Sequence, residues 1–501
     1  MKNKILIVFL SLLIFSSCKK SFLDEEPTDR YVDETFWKTK EQAEAALNGA
    51  YAVLNNTGFY GGITPISRET LSPNNYAYNN DNNLILVGNQ LSNTATYNNA
   101  WTASYRGVGR ANTVLDNIDG VNMDAGLKKR YVAEAKFLRA LYYFPLWHLF
   151  GGAPLILNEP DFETQSNLPR NSAEELLTQI LKDLNEASPD LPASYGSAER
   201  GRATKGAALS LKARVLLYAT RWSDAAAAAK VVIDSKTYTL FPDYRGLFFL
   251  ENEGNSEVVF DIQYKIPEFG TGIDVGLDAQ NTSAPTPDLV KDYYAIDGLA
   301  ITSSPLYNAA TPYANRDPRL LATVIYPGSN YKGKIVTATQ YPRTGYGQKK
   351  YTIYKDNEVP TKSLTSGESE LNYILIRYAD VLLMYAEAKN ESTGPDISVY
   401  NALNLIRRRV DMPDFPAGLS QEQMRKEIRH ERRVELAGEG LYYYDVLRWR
   451  TAEQVLNADV TNASGQRVDT RRFNATRDYL WPVPAIAIQE NPALIQNPGW
   501  Q

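Results

Sequence analysis

Histidine and cysteine are nearly missing from this chain: 501 residues carry two His and a single Cys. With Cys18 alone, an internal disulfide cannot form, and His148 and His430 have no second His or Cys at ligand spacing, so a transition-metal centre is not expected. A basic excess is also missing. Lys and Arg together number 53 against 58 Asp and Glu, a formal charge of −5, which becomes −7 once Lys2 and Lys4 leave with a signal peptide. The charge balance therefore argues against nucleic acid or another polyanion as the partner. No nucleophile elbow, Walker loop or glycine-rich phosphate fingerprint appears, and no two carboxylates stand out as a glycosidase pair. Neither a metal nor an organic cofactor is expected.

What is present begins with the N-terminus. Lys2 and Lys4 precede the apolar stretch ILIVFLSLLIF, eleven residues from Ile5 to Phe15. That is short of the roughly 20 residues a membrane span needs, but it suits a signal peptide over residues 1–17. Cys18 follows small residues at its end, as in a bacterial lipobox. Lipidation there would leave residues 18–35 as a polar tether, and the membrane would be reached through that anchor only. The remaining 36–501 read as one domain.

Helical periodicity dominates that domain. TKEQAEAALNGAYAVL places Ala43, Leu47, Ala50 and Leu54 on one face. A second helix is expected from near Trp101 and a third through Tyr131, Leu138 and Tyr142 to Gly151–Gly152, kinked at Pro145. Another is capped by Asn171 or Ser172. Two Ala-rich helices joined near Arg221–Ser223 resemble a tetratricopeptide pair, and YILIRYADVLLMYAEAKNE with DISVYNALNLIRRRV reads as a second such pair. The scaffold is thus expected over about 36–236 and 371–450, with an extended segment over about 451–501. Between its halves, residues 237–370 lose helical period, contain the strand-like SEVVFDIQY and are rich in turn signals, which reads as an irregular capping insert. The fold class is mainly α: a helix-pair scaffold with a loop-rich cap holding a few short strands.

Two segments carry unusual composition. MRKEIRHERRVELAGEGLYYYDVLRWR interleaves acids and bases, for instance Glu427, Glu431, Arg432 and Glu435, and is expected to pair internally, with Arg377, Asp380 and Glu387 as partners. The stretch from Ser72 to Tyr105 holds ten Asn, four Tyr and one Trp, with Asp81 its only charge. Its NNDNN run lacks the spaced carboxylates of a calcium loop.

Several segments together resemble the SusD/RagB-like outer-membrane lipoproteins of Bacteroidetes. They include Cys18 with FLDEEPTD, FWKTKEQAEAALNGAY, RANTVLDNI, AEAKFLRALYYFPLWHLFGGAPLI, GRATKGAALSLKARVLLY, NRDPRLLATVIYPG, IRHERRVELAGEGLYYYDVLRW and YLWPVPAIAIQENPALIQNPGWQ. The resemblance implies four tetratricopeptide-like helix pairs and a binding protein without catalytic activity. It also implies a lipid-anchored protein facing the cell exterior that captures glycan and acts as the lid of a SusC-like TonB-dependent transporter. A branch of the family that handles peptides and an undetected glycoside hydrolase remain as alternatives. The implied ligand site lies on loops of the N-terminal third and in the central insert.

Sugars offer hydroxyls and weakly apolar C–H faces, which aromatic rings stack on and neutral amides bond without the desolvation cost of a charge. Asn74, Asn75, Tyr76, Tyr78, Asn79 and Asn80 are therefore expected to contact glycan, with Tyr346, Tyr351 and Tyr354 as an opposite wall. Trp101 and Tyr105 read as scaffold, and Arg68, Arg106 and Arg343 are cations that could serve an acidic sugar.

Overall fold

The computed structural model describes residues 36–77 and 81–501. The signal peptide, Cys18 and the tether lie outside the described residues, as do Tyr78, Asn79 and Asn80.

Ten longer helices build the scaffold. They are α1 (Lys40–Ala52), α2 (Ala95–Asn117), α3 (Ala125–Phe150), α4 (Ala173–Ala187), α5 (Lys205–Tyr218), α6 (Trp222–Asp234), α7 (Tyr378–Thr393), α8 (Ile397–Arg409), α9 (Gln421–Glu435) and α10 (Tyr442–Arg448). Each from α1 to α7 packs on the next, and α9 packs on α7, as in a stack of helix pairs. Local signals set the starts: capping boxes of Thr39 with Gln42, Ser172 with Glu175, and Ser420 with Gln423 satisfy the first N–H groups of α1, α4 and α9. Ser172 is thus the cap of α4. Helix α2 begins at Ala95 rather than Trp101, which puts Trp101 inside the helix and buried. Helix α3 continues through Pro145 and ends where Gly151 takes a φ of 81°. Small residues allow close approach. A Cβ on Gly107 of α2 would sit 2.3 Å from the Tyr142 ring of α3, so this contact requires glycine.

Eight strands matter here: β1 (Asn75–Ala77), β2 (Val258–Ile262), β3 (Ser283–Pro285), β4 (Val324–Ile325), β5 (Gly347–Gln348), β6 (Tyr373–Arg377), β7 (Asp459–Thr461) and β8 (Arg467–Thr470). Strand β2 leaves the scaffold and β6 returns antiparallel beside it, with Val258 opposite Arg377 and Ile262 opposite Tyr373. The pair closes the neck of the insert, so that α7 lands against α6 although some 140 residues intervene in sequence. YILIR is therefore a strand and not the start of the helix. Its run of apolar residues is buried on both faces, and such a run has no period that separates strand from helix. The terminal segment is not wholly extended either, since β7 and β8 form a hairpin and Ala485–Glu490 a short helix.

Charged residues join insert to scaffold. Arg319, Lys350, Arg377, Arg407 and Arg409 meet Glu257, Asp317, Glu431, Glu435 and Glu439 in one network, with every side chain 3% exposed or less. Five cations face five carboxylates there. A second set pairs Arg214, Arg432 and Arg448 with Asp380, Asp445 and Glu387. Internal pairing is as expected, but most partners lie on different elements rather than one turn apart. Glu427 accepts instead from the Tyr294 hydroxyl at 3.3 Å.

Candidate functional site

Strand β1 carries the Asn-rich stretch into the insert. It pairs antiparallel with β3, Tyr76 opposite Ala284, and β3 packs in turn on β5. The N-terminal third and the insert thus meet at one place, held by amides. The Asn75 Nδ2 donates to Gln348 Oε1 at 2.7 Å and to Ser283 Oγ at 2.8 Å. The Asn74 Nδ2 donates to Glu69 Oε1 at 2.6 Å, while its Oδ1 accepts from Arg433 Nε at 2.8 Å. Burial pushes the Glu69 carboxyl above its ordinary range, and the bonds from Asn74 and the Gly440 N–H oppose that.

These positions correct the expected contact set. Asn74 and Asn75 are 0% and 1% exposed, and their amide nitrogens are engaged in bridging the chain. Tyr76 is 7% exposed and donates to Asp469 Oδ2 at 3.2 Å, a carboxylate that Asn83 Nδ2 also reaches at 3.3 Å. Burial and then Asp469 push the Tyr76 phenol up. The insert tyrosines do not form one wall. Tyr351 is fully buried against Phe248 and Tyr373 and donates to the Ile374 carbonyl. Tyr354 closes a separate small core with Ile325, Tyr331, Val336 and Tyr341. A buried ring has no face to stack on, so none of Tyr76, Tyr351 and Tyr354 offers a platform.

Tyr346 leads to a different arrangement. Its own ring is 5% exposed, but its hydroxyl accepts from Tyr313 at 3.2 Å. The Tyr313 ring stacks on Tyr326 with centroids 4.0 Å apart and an interplanar angle of 27°, and meets Tyr346 edge-on at 86°. Tyr313 and Tyr326 are half-buried, as is Tyr307, whose ring lies 5.7 Å from the Arg316 guanidinium. Burial pushes the Tyr346 phenol up, and its bond to Tyr313 adds to that, so the Tyr346 hydroxyl stays neutral at physiological pH. The result is a tyrosine ledge beside β5, one strand from β3 and the end of β1. It offers ring surface and hydroxyls, the means of stacking and hydrogen bonding. Among the described residues no three His, Cys, Asp or Glu side chains gather as a metal site. Nor does any described helix have the length and apolarity to cross a membrane.

Sequence reasoning missed Tyr307, Tyr313 and Tyr326. The signal was there in LYNAATPYANRDP and VIYPGSN, where tyrosines sit among turn formers at no helical or strand period.

Comparison with known proteins agrees with this architecture. The SusD family model matches residues 251–500, and a second model described as "Starch-binding associating with outer membrane" matches 21–217. A SusD-like protein of Formosa agariphila is 27% identical over 99% of this chain and 98% of its own length. The starch-binding protein SusD of Bacteroides thetaiotaomicron is 34% identical over 165 residues, 32% of this chain and 28% of that protein. A solved SusD-like carbohydrate-binding protein of Bacteroides fragilis superposes with a TM-score of 0.84 at 29% identity, covering 92% of this chain and all of that one.

Proposed function

The chain belongs to the SusD family, and on that premise we propose that it is a cell-surface glycan-binding lipoprotein whose ligand lies on the tyrosine ledge. The observation that carries this reading is the half-buried Tyr313–Tyr326 stack with Tyr307 and Tyr346 around it. Stacked neutral rings beside hydroxyls suit sugar C–H faces and hydroxyls, and they desolvate at low cost. The relatives, one a starch-binding protein and another a carbohydrate-binding protein, support the same ligand class.

In this reading Cys18 carries the lipid, residues 18–35 span from membrane to fold, and residues 36–501 act as one binding unit. The protein hands its glycan to a SusC-like TonB-dependent transporter and closes over it as a lid. It does no chemistry on the glycan.

The test is electrophoresis of the chain starting at Lys19 through native gels containing a panel of neutral and acidic polysaccharides. Retardation by at least one of them, with no reducing sugar released, supports the reading. Release of reducing ends would make the protein a hydrolase, and retardation by none would remove glycan as the cargo. Co-purification of a TonB-dependent transporter with the full lipidated chain from outer membranes tests the partnership.

A further inference from the structure

A second place in the molecule has the features of a binding site, and no residue of the ledge belongs to it. It is a cavity of about 200 Å³ between the short helix Thr64–Glu69, the start of the helix Asp81–Leu86 and helices α2 and α3. Its floor is apolar, from Leu71, Ala100, Pro145, Leu149 and Trp481. Arg68, Asn99, Ser67 and Thr57 supply its polar groups, and the exposed Asp81 stands on its rim.

Arg68 is the unusual member. Its guanidinium lies 4.9 Å from the Tyr60 ring centroid, also engages the Tyr60 hydroxyl and donates to the Gly58 carbonyl at 3.2 Å, yet no carboxylate of the described residues pairs with it. Other arginines without a carboxylate are better supplied. Arg170 reaches four oxygen acceptors and Arg316 three. The Asn99 amide and the Ser67 and Thr57 hydroxyls likewise make no side-chain hydrogen bond to a described residue, although Asn99 and Ser67 are half-buried. The neighbouring Asn82 differs, because it is bonded to the Ser67 carbonyl at 2.6 Å and by the Thr96 hydroxyl at 2.8 Å.

We propose that this cavity binds one acidic sugar unit, a hexuronate, with its carboxylate on Arg68 and its hydroxyls on Asn99, Ser67 and Thr57. A half-buried guanidinium with no carboxylate partner gains most from a planar carboxylate, which accepts two parallel N–H bonds. The cavity exceeds the roughly 150 Å³ that holds a benzene ring and opens to solvent beside the exposed Asp81, so the sugar ring enters with part of its substituents outside. The apolar floor takes the C–H face of the sugar, and the free amide and hydroxyls distinguish a hydroxylated carboxylate from a plain one. This site stands apart from the ledge, so either could bind when the other does not.

Isothermal titration of the chain from Lys19 with glucuronate and galacturonate tests it, with glucose and an N-acetyl amino acid run beside them. The expected result is a saturable isotherm for at least one uronate and at least tenfold weaker binding of glucose. Arg68→Lys keeps the charge and removes the fork, and Asn99→Ala removes an amide that holds nothing in the fold. Each should weaken uronate binding at least fivefold, with the retardation by polysaccharide at the ledge unchanged. Flat uronate isotherms, equal affinity for glucose, or tighter binding of the N-acetyl amino acid would overturn the assignment. So would Asn99→Ala binding that matches the parent protein while its thermal midpoint is unchanged.

Discussion

Replacing Glu435 with Gln tests how the insert is fastened to the scaffold. The Glu435 carboxylate is fully buried and receives Arg377 at 2.6 Å, Arg409 at 2.5 Å and Arg319 at 3.0 Å. Those cations hold its carboxyl well below the usual range despite burial. The amide is almost isosteric but removes one of five negative charges that balance five positive ones, leaving a buried cation uncompensated. Breaking a buried pair in this way costs about 3–5 kcal/mol. Unfolding entropy near 2.1 cal/mol/K per residue, taken over the described chain, is roughly 1 kcal/mol/K, so the midpoint should fall by about 3–5 °C if the chain unfolds as one unit. The pH dependence follows from the sign of the shift. A carboxyl lowered in the folded state contributes stability that is fully present above its unfolded value, about 4.3, and is lost as pH falls through the folded value. Circular dichroism melts of parent and Glu435→Gln at pH 7 and pH 3 should therefore differ most at pH 7. A midpoint difference under 1 °C at pH 7 would refute the claim that the network is balanced and desolvated.

Three other outcomes follow from the geometry. Asn75→Ala removes the donor shared by Gln348 and Ser283 and leaves buried acceptors unpaired, at a cost of about 1–3 kcal/mol, read as a lower melting midpoint. Asp261 is pushed up to about 6 by burial, so it favours folding most below its unfolded value of about 3.9, and that contribution is lost as pH rises through the folded value. Asp261→Asn should then gain stability relative to the parent between pH 4 and pH 8, by up to ~3 kcal/mol, and melts at the two pH values check the sign. Exposed pairs should matter little: Lys230→Ala, which loses a contact to Asp234 with both side chains more than half exposed, should leave the midpoint unchanged.

The helical scaffold was legible because its signals are local. Thr39 with Gln42 and Ser172 with Glu175 announce helix starts in four residues, and Ala-rich faces announce close packing. The buried ion pairs were legible as a composition but not as a map, since the partner of Arg377 sits 58 residues away in Glu435 and 120 away in Glu257. Strand β6 was hidden for a related reason: its five buried residues look the same as a helix turn until β2 is placed beside them. The candidate site was legible as a meeting of two segments and not as a set of side chains. The Asn-rich stretch and the insert do meet at β1 and β3, but an asparagine that bridges two strands and one that touches a sugar are written with the same letter. With 33 tyrosines in the chain, burial decides which rings remain available, and burial depends on contacts far apart in sequence. Hence Tyr351 and Tyr354 went into cores, while Tyr313 and Tyr326 kept part of their surface.

The most direct measurement is the affinity of the retarding polysaccharide's oligosaccharide for the Tyr313→Ala/Tyr326→Ala double variant, by isothermal titration, with Tyr351→Phe as the control. Two lost ring contacts at roughly 0.5–1.5 kcal/mol each predict a loss of about fivefold to 150-fold, and Tyr351→Phe should bind like the parent protein. Equal affinity for the double variant, in a protein that still melts cooperatively, would contradict the ledge as the glycan site.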